Sequence, residues 1–406
     1  MKISLIQPGR NNLKYLKWSY DSIRKNQGNH EVEICVADDA STDGTWEWCL
    51  KMMDKDPNFA AIKNEGPKRL GHTILYDRLI NEVATHDICM IYHADMYLMP
   101  GALDQIEHKL QDKTIVSLTR IEPPLHPDGP EKMLMDFGVE PEDFKEKELL
   151  AWFKGIQLTQ ATKVTEGIFA PWAFYKKDFQ EIGGHDPLYA PQSKEDSDIF
   201  NRFQLNGIKF VQTWGGCVYH MTCRGSRRNT IDKAKNIYED SPEWLAQNMR
   251  STRNFIRKWG HFIAHDDFLK PQIHPKYNIA ISLTRCNLNL LHTLEPWCDT
   301  LYCCPEDLEN YIMLEQENTL FKLGKRLQPY QIGKKNNWMD KDIYIFINGD
   351  TFTETDFQYI QQLSEVLAND KELHEEEFPC IFELGNMEIK VNKLKTYEKD
   401  LIICKK

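Results

Sequence analysis

The sequence predicts an α/β protein with a mainly parallel sheet that carries helices on both faces, followed by a smaller α/β or α+β domain. Strand-type and helix-type segments alternate from the first residues onward, a pattern typical of parallel strands joined by helical crossovers. The chain has 406 residues, more than one ordinary core holds, and a second alternation begins after a polar, proline-containing stretch. We therefore predict a first domain over residues 1–265, a linker over 266–276 and a second domain over 277–406.

Strand-type and helix-type segments alternate in the first half of the chain. Its helical segments place apolar residues at helical spacing, as Leu13, Leu16, Tyr20 and Ile23 do, whereas its strands are short apolar runs bounded by turn residues. In order, the predicted elements are strand ISLIQ, helix NNLKYLKWSYDSIRKN, strand EVEICVA, helix WEWCLKMM, strand AAIKN, helix GHTILYDRLINEVA and strand ICMIY. In such a sheet, ligands bind at the carboxyl ends of the strands.

The remaining elements follow from the same patterns. The proline-rich stretch RIEPPLHPDGPEK predicts a long surface loop of the kind that often faces a substrate. The elements predicted after it are helix KEDSDIFNRFQLNG, strands IKFVQTW and GGCVYH, and helix SPEWLAQNMRSTRNFIRKWG. The last third starts again with NIAISL, CNLNLLHTL and DTLYCC as strand, helix and strand, and it contains no motif that indicates a function.

Composition limits the class of protein. A net charge of −11 leaves no excess of Lys and Arg to neutralise phosphates, which argues against a general nucleic-acid binder. No window approaches the ~18 apolar residues that a membrane span requires, and the apolar run in MKISLIQPGR is too short for a signal peptide. The 11 cysteines are scattered, which predicts reduced thiols and a cytoplasmic location.

Two predicted strands end in side chains that can carry chemistry. VADDASTDGT places Asp38 and Asp39 where carboxylates and a turn could bind a base and a ribose, although the same turn could simply cap the next helix. HAD places His93 and Asp95 one residue apart, so that both could face one divalent ion of the Mn²⁺ type. A strand terminus that hydrogen-bonds to backbone explains the second pair equally well.

Two later segments could complete such a site. KEDSDIF begins a predicted helix with Glu195, Asp196 and Asp198; the helix dipole favours acidic residues there, but one carboxylate of raised pKa could serve as a general base. VYHMTCRGSRR places His220 at a strand end, ahead of an arginine cluster that includes Arg224 and suits phosphate oxygens. A lone His is more often a satisfied core residue than a ligand.

Taken in order, these motifs resemble those of the GT-A fold glycosyltransferases, most closely the family 2 inverting enzymes. VADDASTDGT is similar to that family's VDDGSTDGT nucleotide loop, and HADMYLMPGAL falls where the family has its Asp-x-Asp metal motif. EIGGHDPLYAPQSKEDSDIFNRFQLNGIKFV is similar to the family's GGFDE…EDxDLxxRxxxxG segment, VYH lies where many members have a final His, and RNFIRKWG resembles their closing helix. The resemblance covers residues 1 to about 260 and leaves the C-terminal third without a counterpart.

The resemblance implies a GT-A domain that uses a nucleotide-sugar donor, commonly a uridine diphosphate sugar, with Mn²⁺ or Mg²⁺. The sugar would pass, with inversion, to a glycan, lipid-linked or protein acceptor. On this basis we expect Asp95, with His93 and His220, to bind the metal, and Asp196, with Glu195 beside it, to act as the base. The donor-binding residues that we expect are Gln7, Pro8, Arg10, Asp38, Asp39, Lys68, Arg69, Asp77 and Arg224.

Two positions depart from the family pattern. His93 replaces the first Asp of the metal motif, and Asp77 stands where the family often has Asn.

Two other functions stay open. The first is a nucleotidyltransferase acting on sugar phosphates, for which PGRNN is a poor version of the expected Gly-rich, basic loop. The second is a non-catalytic protein that binds a nucleotide or a sugar.

Overall fold

The structure is a computed structural model that describes residues 1–222, 228–232, 237–304, 308–329, 340–370, 373–374, 377–394 and 398–404. The chain forms two compact units. The first comprises Met1–Gln247 with His265–Pro271 and Ile403–Lys406, and the second comprises Asn248–Ala264 with Gln272–Ile402. Within the described residues, none of the helices is both long enough and apolar enough to cross a bilayer.

A mixed, mainly parallel sheet organises the first unit. Its strands are Lys2–Gly9 (β1), Glu31–Asp39 (β2), Phe59–Asn64 (β3), Ile88–Ile91 (β4), Met96–Leu98 (β5), Thr114–Glu122 (β6), Lys132–Leu134 (β7), Val164–Thr165 (β8), Trp172–Tyr175 (β9) and Lys209–His220 (β10). They follow the order β3-β2-β1-β4-β9-β6-β10-β5, with β7 on β6 and β8 on β10. β9 runs antiparallel to both β4 and β6, so β4 and β6 point in the same direction.

Helices connect these strands. Their bounds are Leu13–Asn26 (α1), Thr45–Lys55 (α2), Gly71–Arg78 (α3), Ala102–Lys109 (α4), Glu146–Gln160 (α5), Lys176–Glu181 (α6), Glu195–Leu205 (α7) and Pro242–Trp259 (α8). A π-helical turn, Leu79–Val83, continues α3, and 3₁₀ turns occupy Pro141–Asp143 and Pro187–Tyr189. After β10, the strands Arg228–Asp232 (β11) and Ile237–Asp240 (β12) pair as an antiparallel ribbon.

The α/β class and the alternation of elements in the first half are confirmed. Two predictions about the later strands are wrong. IKFVQTW and GGCVYH form one strand, β10, whose register shifts between Thr213 and Cys217, where a bulge takes up Trp214 and the two glycines. The proline-rich stretch is not a loop from its first residue, since β6 continues through Glu122 and β7 follows at Lys132.

The central strands are buried because both faces of the sheet are covered. β2 is buried from Val32 to Asp39, and β1 from Ile3 to Pro8. On one face, Leu5 and Ile34 pack against Leu16 of α1. A strand buried on both faces reads as a continuous apolar run, which is the pattern that VEICVA has in the sequence.

A second sheet organises the second unit. Its strands are Ile279–Thr284 (β13), Thr300–Cys303 (β14), Leu327–Pro329 (β15), Ile343–Asn348 (β16), Cys380–Leu384 (β17) and Met387–Val391 (β18). The order is β15-β14-β13-β16-β18-β17, in which the first four strands are parallel and the last two are antiparallel. The described helices of this unit are Leu288–Leu294 (α9), Leu308–Glu315 (α10), Leu323–Arg326 (α11), Glu354–Asn369 (α12) and Glu398–Ile402 (α13).

A buried ion cluster fixes the end of α8 within the second unit. Glu295 is fully buried and accepts hydrogen bonds from Arg257, at 2.7 Å to Oε2, and from Arg326, at 2.7 Å to Oε1. Burial alone would raise the pKa of Glu295, but the two guanidinium groups outweigh it and hold the pKa near 2. Removing one member of such a cluster leaves a buried charge uncompensated, which is strongly destabilising.

Candidate active site

The side chains singled out in the sequence lie at one edge of the first sheet. Asp38 and Asp39 end β2, His93 and Asp95 lie in the turn between β4 and β5, and His220 ends β10. β1, β2 and β4 are mutually parallel, as are β6 and β10, and β4 and β6 share one direction. The carboxyl ends of all these strands therefore meet at the same edge, which is where α/β sheets bind ligands.

His93, Asp95 and His220 form a cluster suited to a divalent cation, referred to below as the His-Asp-His cluster. One ligand atom from each residue lies within 4.8 Å of those from the other two. His220 Nε2 is 3.4 Å from Asp95 Oδ1, and the two imidazole rings are 5.8 Å apart between centroids. Two imidazoles with one carboxylate suit Mn²⁺ and similar ions better than Ca²⁺.

The ionisation of the His-Asp-His cluster fits a site for positive charge. Burial lowers the pKa of His93 to about 3, so its imidazole is neutral and can offer a lone pair. For His220, burial acts in the same direction, but the carboxylates of Asp95 and Glu122 outweigh it and raise the pKa to about 9. A proton on His220 thus takes the place of a cation at neutral pH, and binding of a metal would displace it.

Glu122 is a site residue that the sequence analysis missed. It ends β6, is 1% exposed, and its Oε1 lies 2.8 Å from Nδ1 of His220. Lys132 Nζ at 3.3 Å and Arg120 Nη1 at 3.5 Å also contact its carboxylate. Burial would raise the pKa of Glu122, but His220, Arg120 and Lys132 together lower it strongly. The run TIVSLTRIE is rich in β-branched residues, which predicts a strand up to Glu122, and it is the signal that could have found this residue.

Asp38 and Asp39 point to opposite faces of the sheet because they are consecutive residues of β2. Asp39 is held by its own chain: it accepts hydrogen bonds from Asn64 Nδ2 at 2.7 Å and from the backbone N–H groups of Leu70 and Gly71 at 3.0 Å. Asp38 Oδ1 accepts from the N–H of Ser41 at 3.1 Å, while its buried Oδ2 has no hydrogen-bond partner within the described chain. Asp38 is therefore the carboxylate with spare acceptor capacity.

The first strand brings further polar groups to this edge. Gln7 Nε2 donates to Ser19 Oγ at 3.0 Å, and the buried Gln7 Oε1 accepts no hydrogen bond from any described residue. Pro8 is buried next to it, and Arg10 is half-buried. Near the start of α3, Lys68 is exposed and Arg69 Nε lies 3.7 Å from Asp39 Oδ2.

Asp77 is engaged within the protein. Its Oδ1 accepts hydrogen bonds from the N–H of His185 at 3.0 Å and from His185 Nδ1 at 2.9 Å. The other ring nitrogen of His185 is buried and has no partner in the part of the chain that the structure describes. Asp77 thus positions His185 and the turn that precedes α7. Arg224 lies outside the described residues.

The acidic start of α7 separates into two kinds of carboxylate. Asp198 is fully buried and pairs with Arg202, at 2.8 Å from its Nε, so it has the structural role. Glu195 is 7% exposed and its Oε2 has no hydrogen-bond partner among the described residues, while Asp196 is half-buried. Burial raises the pKa of both Glu195 and Asp196, and the negative charge of Asp196 raises that of Glu195 further.

The backbone that leads into α7 is strained. Ser193 and Lys194 have φ angles of +81° and +73°, in the left-handed region that side chains with a Cβ disfavour. Each such residue costs ~1–3 kcal/mol, and strain of this kind concentrates at functional sites. The two residues directly precede Glu195 and Asp196.

Tyr76 connects the acidic pair with the His-Asp-His cluster. Burial raises the pKa of its phenol well above the usual value, and the charges of Asp196, Glu195 and Asp95 raise it further, in that order. One phenol therefore lies within electrostatic reach of both groups. Its ring stacks on that of His185, with 5.4 Å between centroids. The acidic pair and Asp95 of the His-Asp-His cluster therefore both act on Tyr76.

Residues 4–183 match the family model described as glycosyl transferase family 2. This match spans β1 to β9 and contains the nucleotide-type loop and the HAD motif. It confirms the resemblance seen in the sequence: residues 4–183, a little under half of the chain, are similar to the glycosyl transferase family 2 domain. No curated protein matches the chain in sequence.

Several solved structures show a more distant likeness. The mannosyltransferase PcManGT from Pyrobaculum calidifontis, in complex with GDP-Man and Mn²⁺, is 17% identical with a TM-score of 0.39, over 55% of this chain and 57% of that one. GalNAc-T7 with UDP, GalNAc and Mn²⁺ is 12% identical with a TM-score of 0.43, over 64% and 51%. S. aureus TarS 1-349 is 15% identical with a TM-score of 0.39, over 63% and 66%. The chain spans between 51% and 66% of the length of these structures.

Proposed function

We propose that the chain is a metal-dependent, inverting glycosyltransferase that moves a sugar from a nucleoside-diphosphate donor, with UDP-sugars favoured, to a hydroxyl of a glycan, lipid-linked or protein acceptor. The observation that carries the proposal is the shared surroundings of Tyr76. Asp95, the carboxylate of a ligand set that also has two imidazoles, acts on the same phenol as a carboxyl pair of raised pKa. The first group suits a diphosphate with its cation, and the second suits a general base.

The His-Asp-His cluster would hold the divalent cation, either Mn²⁺ or Mg²⁺. When bound, such an ion neutralises the charge that builds up on a diphosphate leaving group. Glu122 positions the cluster, because its bond to Nδ1 of His220 turns Nε2 toward Asp95. A carboxylate behind a metal-binding imidazole fixes the tautomer of the ring and increases its basicity.

Asp196 is the base in this mechanism. Its carboxylate takes the proton of the acceptor hydroxyl while the acceptor oxygen forms a bond to the anomeric carbon. The bond from that carbon to the donor's phosphate oxygen breaks, and its electron pair leaves with the nucleoside diphosphate. Attack from the face opposite the leaving group inverts the configuration. A base whose pKa is raised toward the working pH is efficient in this role.

The nucleotide would bind beside β1 and β2. Asp38 Oδ2 and Gln7 Oε1 are buried acceptors without partners among the described residues, and a nucleobase N–H can satisfy such an acceptor. Arg10 and Lys68 make no hydrogen bond through their side chains to another described residue and are candidates for the diphosphate. Asp39 and Asp77 would contribute indirectly, since their own chain already occupies them.

A donor-hydrolysis screen tests the proposal. The full chain, supplied with Mn²⁺, is expected to release nucleoside diphosphate from at least one sugar donor, with UDP-sugars turned over faster than GDP-sugars. Product release is followed by chromatography with and without a chelator. Absence of hydrolysis and of transfer with every nucleotide sugar would sink the proposal, and turnover that persists in chelator would remove its metal dependence.

The raised pKa of the acidic pair predicts how the rate depends on pH. Asp196 accepts a proton only when ionised, so kcat should rise with pH until its raised pKa is passed and should fall as pH drops through that value. Glu195 keeps its own proton up to a pKa of about 8, because of burial and then because of the charge of Asp196, so it is uncharged where Asp196 ionises. Replacing Glu195 by Gln should therefore leave the rising limb of kcat in place. The measurement is kcat against pH at saturating donor and Mn²⁺. A rising limb that shifts in Glu195→Gln would show that Glu195 is the group whose ionisation controls the rate.

A further inference from the structure

A cavity of about 500 Å³ lies in the second unit, at the carboxyl ends of β13 and β16. β14 and β15 follow β13 on one side, whereas β16 lies on its other side, so the strand order reverses between β13 and β16. Open α/β sheets bind ligands in the crevice at this reversal point. The volume falls within the ~300–1,000 Å³ that is usual for small-molecule sites.

The floor of the cavity is lined by hydroxyl groups. Ser282 is 3% exposed as a residue and lines the cavity, so a ligand there can exchange hydrogen bonds with its hydroxyl. Thr284, two residues along β13, lines the same side. The ring of Phe346, which pairs with Ser282 across the strands, supplies an apolar surface beside the two hydroxyls.

Two carboxylates face each other across the β17–β18 hairpin at the rim of the cavity. Glu383 pairs directly with Glu388, and both line the cavity. Neither forms an ion pair with a described residue, and like charges directly opposite each other are destabilising. The described lining contains no Lys, Arg or His, so no cationic side chain there would offset the repulsion between the two carboxylates and an anionic ligand.

The hairpin that carries the two carboxylates is held in place. Its two-residue turn is tied to the start of α12, where Asp356 accepts hydrogen bonds from the N–H of Asn386 at 2.9 Å and from Asn386 Nδ2 at 3.0 Å. Gly385 has a φ of +61°, and a Cβ there would lie 2.1 Å from Asp356 Oδ1, so the turn accepts only glycine at this point. The rim is therefore preformed, which reduces the entropic cost of binding.

We propose that this cavity is a binding site for a neutral saccharide, separate from the candidate active site. Carboxylates accept hydrogen bonds from sugar hydroxyls, Ser and Thr hydroxyls and the amide of Asn348 both donate and accept, and Phe346 offers a face for the apolar side of a pyranose ring. The described lining combines hydrogen-bond acceptors, hydroxyls and one aromatic ring, and it has no basic side chain. This combination favours an uncharged ligand with many hydroxyl groups. The inference rests on the second unit alone and stands whether or not the proposed transfer reaction is correct.

Saturation-transfer difference NMR on the full chain tests this site. The probes are glucose, galactose, mannose, N-acetylglucosamine and lactose, with glucuronic acid as the anionic comparison. At least one neutral sugar should receive saturation from the protein, and glucuronic acid should receive less. In Glu388→Gln and in Ser282→Ala, the Kd for that sugar should rise about tenfold, the effect of losing one hydrogen bond to a buried or charged group.

Two controls locate the binding. Glu365→Gln, an exposed glutamate on α12 outside the cavity, should bind as the wild type does, and so should Asp95→Asn, which alters only the candidate active site. Unfolding midpoints of all variants exclude a folding defect. Failure of every neutral sugar to bind, unchanged binding in both Glu388→Gln and Ser282→Ala, or stronger binding of glucuronic acid than of every neutral sugar would overturn the proposal.

Discussion

Replacing Asp196 by Asn is expected to lower the rate of sugar transfer by a factor of about 10²–10⁴, the usual contribution of a general base. The amide has the size of the carboxylate but cannot accept the proton of the acceptor hydroxyl. Donor binding should be retained, because Asp196 deprotonates the acceptor and does not hold the nucleotide. The measurement is kcat and the donor KM for transfer, with Mn²⁺ at saturation.

The same variant should be no less stable than the wild type, and this separates a chemical effect from a folding defect. Burial makes an ionised Asp196 unfavourable in the folded protein, so an uncharged amide relieves this cost. Asp54→Asn, an exposed aspartate on α2, is the matched control and should transfer sugar at the wild-type rate. Full activity in Asp196→Asn would show that the base is another group.

Replacing Asp95 by Asn is expected to abolish the stabilisation that UDP confers in the presence of Mn²⁺. At 100 times its Kd, a ligand that binds only the folded state adds about 2.7 kcal/mol to the free energy of unfolding. Asp95 is the one carboxylate of the His-Asp-His cluster, so the variant loses the charge that compensates the cation. The measurement is the thermal unfolding midpoint with UDP, with Mn²⁺ and with both.

A second group of possible ligands provides the control for Asp95. His30, Asp104 and Glu107 also bring their ligand atoms within 4.8 Å of one another. In this second group, the N-terminal amine of Met1 contacts Glu107 at 2.8 Å and His30 at 3.2 Å. The amine therefore supplies the positive charge that a metal ion would otherwise supply. Asp104→Asn should keep the full response to UDP and Mn²⁺. Loss of the response in Asp104→Asn, with retention in Asp95→Asn, would move the metal to the other group.

The strand ends were predictable from the sequence because each is a local pattern. An apolar run that stops at DDASTDGT or at HAD marks a carboxyl end, and the parallel topology then brings such ends to one edge. The face of the sheet to which each of these side chains points was not predictable in the same way. We ended the second strand at Ala37, which left Asp38 and Asp39 in a loop. The strand in fact continues through Asp39, and its alternation sends the two carboxylates to opposite sides.

The sequence also did not predict the contacts between side chains that are far apart along the chain. Glu122 binds His220, which is 98 positions away, and Asp77 binds His185 across 108 positions. No local pattern encodes such partners. The prolines after Glu122 also favoured a loop at a point where the strand had not yet ended. Asp77 stands where the family often has Asn, and the structure explains this difference, because Asp77 accepts a hydrogen bond from His185.

The division of the chain into two units limits how the protein can be taken apart or assembled. The polypeptide passes from one unit to the other after Gln247, Ala264, Pro271 and Ile402. A single proteolytic nick therefore cannot release either unit as one intact piece, and neither unit is a continuous stretch that a simple gene fusion could append. Arg257 reaches Glu295 from the segment Asn248–Ala264, so a deletion that stops short of this segment removes part of the second core.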